Sequence, residues 1–127
     1  MELRAIGITM DCQDPERLAD FWQEAIGFRS REGHEPGITL SDSEVGKPLN
    51  HLTLQKVPEG KLAKHRVHLD LFVRDPNTEV ERLVKLGARV LTSGGSVPGH
   101  LGFVAIVMCD PEDGEFCVVG RPAKSEI

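Results

Sequence analysis

One arrangement occurs twice in this chain: an alternating run, an Asp-Pro pair, an apolar stripe at helical spacing, and a glycine. In the first copy Ile6 to Met10 alternates, Asp14-Pro15 follows, and Leu18, Phe21, Trp22, Ala25 and Ile26 precede Gly27. In the second, Val67, Leu69, Leu71 and Val73 alternate with His68, Asp70 and Phe72. Asp75-Pro76 comes next, then Val80, Leu83 and Val84 ahead of Gly87. Each part has a physical reason. Aspartate accepts from an otherwise unpaired N–H at a helix start, and proline at the first helical position lacks an N–H that would have no partner there. Glycine takes the left-handed conformation that ends a helix. The two aspartates stand 61 residues apart and the two glycines 60, and Arg29 and Arg89 each follow their glycine by two. A repeat at half the chain length predicts duplication of one supersecondary unit.

Taken in order, Leu3 to Met10 reads as a strand and Pro15 to Ile26 as a helix with Trp22 anchoring the core. Phe28 to Glu32 and Ile38 to Leu40 read as short strands around a turn at Gly33–Gly37. Ser41 to Pro48 is loop-like. Leu49 to Val57 alternates, placing Leu52 and Leu54 on one face and His51, Thr53 and Gln55 on the other. Pro58 to His65 is a charged connector, either a linker or a basic rim over a binding site. Thr92 to Gly102 is glycine-rich and lacks the lysine and following helix of a phosphate loop, so a hairpin-like loop is expected. Phe103 to Met108 reads as a strand, Asp110 to Gly114 as a turn, Glu115 to Val119 as the last strand, and the tail from Arg121 as frayed. Each half is then strand-helix-strand-strand-strand, and one helix covers only one face of four strands.

The chain has 127 residues, enough for one domain with its own core. Its net charge of −5 argues against a nucleic-acid backbone as partner, and 5% aromatic content without tyrosine supplies few base-stacking platforms. No run is long enough to span a bilayer and no targeting segment is visible, so a cytoplasmic protein without a membrane partner is expected. Cys12, Cys109 and Cys117 have no C-x-x-C spacing and are read as reduced thiols.

The segments DPERLADFWQEAIGF (14–28), RVHLDLFVRD (66–75), EVERLVKLGARVL (79–91) and MCDPEDGEFCVV (108–119) carry a resemblance to a known superfamily. It is the glyoxalase, bleomycin-resistance and extradiol-dioxygenase (vicinal oxygen chelate) superfamily, and within it the glyoxalase-like subgroup. The last segment resembles the family's DPEGNEF turn with the glycine displaced to Gly114. The resemblance implies an α+β fold: two paired β-α-β-β-β modules whose curved mixed sheets enclose a cavity, often in a homodimer. Residues 1–127 would form a single domain, with module one at about 1–60 and module two at about 65–121. It also implies one divalent metal held from the first and last strands of each module, at positions that correspond here to Gly7, His51, His68 and Cys117. Gly7 offers no ligand atom, and Cys117 stands in place of the family's glutamate.

Physically, His51, His68 and Cys117 are a candidate metal set. Two imidazoles and a thiolate suit zinc, with a fourth position open for water or substrate. The alternative is no metal, with His68 hydrogen-bonded to Asp70, Gln55 or a ligand. Asp70, on the same face as His68, is a candidate tautomer-holding group, ligand contact or general base, and equally a structural ion-pair partner of Arg66 or of a residue at a dimer interface. His68 and Asp70 are the catalytic candidates. His51, Thr53, Gln55, His68, Asp70, Phe72 and Phe103 are the candidate ligand-binding residues. Two function classes follow: binding of a small organic molecule without chemistry, or a metal-dependent lyase, isomerase or dioxygenase. The incomplete ligand set favours the first.

Overall fold

The computed structural model describes residues 6–42, 50–97 and 100–121. The chain divides into two compact units, Met1–Lys61 and Leu62–Ile127. The expected Leu3–Ala5 start of the first strand, most of the 41–48 loop and the tail beyond Arg121 lie outside the described residues.

In the first unit β1 (Gly7–Cys12) leads into α1 (Pro15–Ile26), followed by β2 (Ser30–His34), β3 (Gly37–Ser41) and β4 (His51–Lys56). The Asp14 carboxylate accepts from the Arg17 N–H at 3.2 Å, and Gly27 closes α1 at φ 88°. Both helix ends therefore follow from the local sequence. The sheet order is β1-β4-β3-β2, with β1 parallel to β4 and the other pairs antiparallel. Leu18, Phe21 and Trp22 of α1 are buried together with Ile38, Leu40, Leu52 and Leu54 of the sheet. Phe21 and Trp22 meet edge to face at 5.0 Å. Burying each of these large side chains contributes about 1.5–3 kcal/mol. Arg31 of β2 pairs with Glu16 and Asp20 of α1 at 2.8 and 2.7 Å, tying the edge strand to the helix.

The second unit repeats the plan. β5 (Asp70–Phe72), α2 (Pro76–Leu86), β6 (Arg89–Val97), β7 (His100–Cys109) and β8 (Glu115–Gly120) give the order β5-β8-β7-β6, again with one parallel pair. Asp75 caps α2 through the Thr78 N–H at 3.3 Å and the Thr78 hydroxyl at 2.7 Å. Gly87 ends the helix at φ 120°. Gly120 lets the start of α2 sit close, since a Cβ there would come within 2.7 Å of Pro76 Cγ. Among the described residues there are thus two helices and two four-stranded mixed sheets, the α+β class expected.

Two elements differ from expectation. The glycine-rich stretch read as a loop is largely strand: β6 runs to Val97 and pairs with β7, with register shifts at Val90/Thr92, Thr92/Gly95 and Ser96/Val97. Glycines weaken a strand and often mark such irregularities, but ladder hydrogen bonds need only backbone. Conversely, β5 is shorter than the alternation from Arg66 suggests, and Val67 is 75% exposed. Its parallel partner β8 begins only at Glu115, and the ladder covers Asp70 to Phe72.

Candidate functional site

Strand parity decides which side chains of the second sheet meet. Phe116, Val118 and Gly120 alternate along β8 on the side where Pro76 of α2 packs. Cys117, Val119 and Arg121 therefore fall on the opposite side. The register sets Asp70 beside Cys117 and Phe72 beside Val119, with Val107 and Ala105 of β7 next in each row. The side of this sheet away from α2 thus carries a carboxylate and thiol at one end and aromatic residues further along.

At the first end, His68 Nδ1 lies 3.2 Å from Asp70 Oδ1, and both side chains are well exposed. The Cys117 thiol donates to Asp70. Ligand atoms of His68, Asp70 and Cys117 all lie within 4.8 Å of one another. Burial pushes the Cys117 thiol up from its ordinary value, and the Asp70 charge and hydrogen bond push it further. Cys117 is therefore a protonated thiol near neutral pH unless a cation replaces its proton. Leu69 O accepts from the Cys117 N–H at 2.9 Å, which fixes the cysteine's backbone beside the His68–Asp70 segment.

Further along the same side, Phe72 is 54% exposed and its ring centroid lies 6.3 Å from that of Phe103, the planes tilted by 51°. The Arg121 guanidinium rests over Phe103, 5.2 Å from the ring centroid.

In the first unit, His51, Thr53 and Gln55 share one face of β4, away from the buried Leu52 and Leu54. Thr53 meets the Thr39 hydroxyl at 3.0 Å, and His34 Nε2 lies 2.8 Å from the same Thr39 oxygen. His51 pairs in register with Gly7.

The expected residues thus fall into two sets. His68, Asp70 and Cys117 come together, and Phe72 joins Phe103, all within the second unit. His51, Thr53 and Gln55 belong to the first unit. Asp70, expected as a tautomer-holding group, ligand contact, general base or ion-pair partner, has a carboxylate oxygen grouped with the His68 and Cys117 ligand atoms. Sequence reading missed His34, taken for a turn residue, and Arg121, assigned to the tail. The signal for Arg121 was present: it keeps the parity of Cys117 and Val119.

The chain thus carries two β-α-β-β-β units, and the second brings a histidine, a carboxylate and a thiol together. The family model for the glyoxalase-like domain matches residues 7–119, and the chain belongs to that family. Solved structures agree in fold. A glyoxalase/bleomycin resistance protein/dioxygenase family enzyme from Burkholderia phytofirmans PsJN is 15% identical, with TM-score 0.69, covering 90% of this chain and 95% of its own. The genomically encoded fosfomycin resistance protein FosX from Listeria monocytogenes is 14% identical, with TM-score 0.70 and 94% of each chain covered. FosX from Mesorhizobium loti is 16% identical, with TM-score 0.67, covering 94% of this chain and 93% of its own. No curated protein matches the sequence. No helix among the described residues is long and apolar enough to cross a membrane.

Proposed function

We propose that this chain is a small-molecule-binding member of the glyoxalase-like family, with the side of the second sheet away from α2 as its ligand surface. The observation that carries this reading is the meeting of His68, Asp70 and Cys117 with the exposed Phe72 on one sheet face. Apolar walls with a few convergent polar groups are the usual composition of a small-molecule site. The fosfomycin resistance proteins of the same fold are named for resistance to a small molecule, which is consistent with this reading. Their low identity transfers no substrate. In the first unit the same reading assigns His51, Thr53 and Gln55 to ligand contact. A fragment library screened by thermal shift against the native protein and Phe72→Ala tests it: stabilising compounds are expected for the native protein and weakened in the variant.

A second reading, a divalent-metal site, is favoured by the 4.8 Å grouping of three donor atoms. Imidazole, carboxylate and thiolate form a donor set that fits zinc with a position left open. His68, Asp70 and Cys117 would hold the ion. A bound ion would supply Lewis acidity or an activated water. The chain's own part is to hold His68 against Asp70 and to release the Cys117 proton, which burial and Asp70 now retain. Metal binding here therefore competes with a proton.

A further inference from the structure

The end of the same sheet face opposite Asp70 carries two aromatic rings and a cation. Cys117 and Val119 of β8 share a side with Arg121 just past its end, so Arg121 lies about 13 Å along the chain from Cys117 at roughly 3.3 Å per residue. Phe72 and Phe103 occupy the intervening and distal positions, and Arg121 sits over Phe103. A guanidinium resting on a ring engages it through its charge, and its N–H fork remains suited to a carboxylate. The face thus reads as carboxylate acceptor, aromatic platform, cation.

Resting on the proposed small-molecule reading, we infer that the ligand class is an anionic aryl compound. Its acid group meets Arg121, its ring stacks on Phe72 and Phe103, and a hydroxyl at the far end donates to Asp70. The charge order dictates the orientation. An acid group placed at Asp70 would meet a like charge, whereas at Arg121 it gains a charge-assisted hydrogen bond. Phe72 is 54% exposed beside Phe103. Stacked rings at 4.5–7 Å are favourable beyond the area they bury. A chain with net charge −5 repels anions overall, and Arg121 supplies a local cation beside the Phe103 ring.

The test uses the full chain labelled with ¹⁵N and three probes: 3-(4-hydroxyphenyl)propionate, 4-ethylphenol and hexanoate. The first carries ring, hydroxyl and acid; 4-ethylphenol lacks the acid, and hexanoate lacks both ring and hydroxyl. The proposal expects the hydroxyaryl acid to bind most tightly, shifting amides of β5, β7 and β8. Arg121→Gln should weaken the hydroxyaryl acid about tenfold or more and leave 4-ethylphenol unchanged. Phe72→Ala should weaken both aryl probes about tenfold. Arg121 and Phe72 are exposed, so neither substitution threatens the core. Equal affinity of the acid and the phenol, or an Arg121→Gln protein that keeps full acid affinity, overturns the anionic-aryl assignment while the small-molecule reading stands. If neither these probes nor a fragment library shifts any amide on this face, both fall.

Discussion

Asp70 and Cys117 are register partners across the parallel β5–β8 pair, and the carboxylate accepts the thiol's hydrogen bond. Burial raises the thiol's ionisation point, and the adjacent negative charge raises it further. Asp70→Asn removes the charge and leaves the burial. Alkylation of Cys117 by iodoacetamide at pH 8, followed by peptide mass spectrometry, should become about threefold faster or more. Cys109, raised chiefly by its own burial, is the internal reference and should not change. An unaltered Cys117 rate would remove Asp70 from the account of this thiol.

The same pair governs metal affinity on the second reading. Zinc titrated into chelator-stripped protein should release a proton as the Cys117 thiolate forms, with affinity rising as pH rises. His68→Ala and Cys117→Ser should each largely abolish the high-affinity phase. Calorimetry in buffers of different ionisation enthalpy counts the proton, and zinc uptake without proton release would exclude Cys117 as a ligand.

Among the described glycines, Gly37 is the one whose added Cβ would come nearest to backbone. A Cβ there would lie 1.9 Å from the Leu54 carbonyl oxygen on β4, whereas one at Gly33 meets nothing within 4 Å. Gly37→Ala should therefore cost about 1–3 kcal/mol in denaturant unfolding, because backbone rather than a flexible side chain must move. Gly33→Ala should be neutral or stabilise by up to about 1 kcal/mol. Similar effects at both sites would contradict the β3–β4 packing described.

The α2 cap links stability to pH. The Thr78 hydroxyl and then its backbone N–H hold the Asp75 carboxyl below its ordinary value. With the folded value depressed, this contribution is fully present above the unfolded carboxylate value. It is lost as pH falls through the folded one. Asp75→Asn keeps an acceptor without a titrating charge. Its melting temperature should lack that acid-range loss, while the native chain shows it; parallel melting curves from pH 7 to 2 would assign the loss elsewhere.

Much of this fold is legible in the sequence, for reasons visible in particular residues. Asp14-Pro15 with Gly27, and Asp75-Pro76 with Gly87, mark both helices because caps and stops are local chemistry. Alternation at Leu52 and Leu54 marks β4 because one side of that strand is buried. The strand through Gly94 and Gly95 was hidden because glycine has no side chain to record a periodicity, and the pairing with β7 is made by backbone alone. For the site, His68, Asp70, Phe72, Phe103 and Cys117 were marked by residue type and phase. Asp70 as a third donor became visible only through the β5–β8 register, which brings together residues 47 positions apart. Arg121 shares the parity of Cys117 and Val119 but lies one residue past the end of β8, where strand alternation alone does not fix a side.

The most direct test of the central claim is an amide-resolved NMR screen of a chemically diverse fragment library against the full chain. The account predicts that the compounds that bind shift the amides of Asp70, Phe72, Ala105 and Val119, and that Phe72→Ala reduces those shifts. Binding confined to other surfaces, or shifts that survive Phe72→Ala unchanged, would contradict the second sheet's role as the ligand surface.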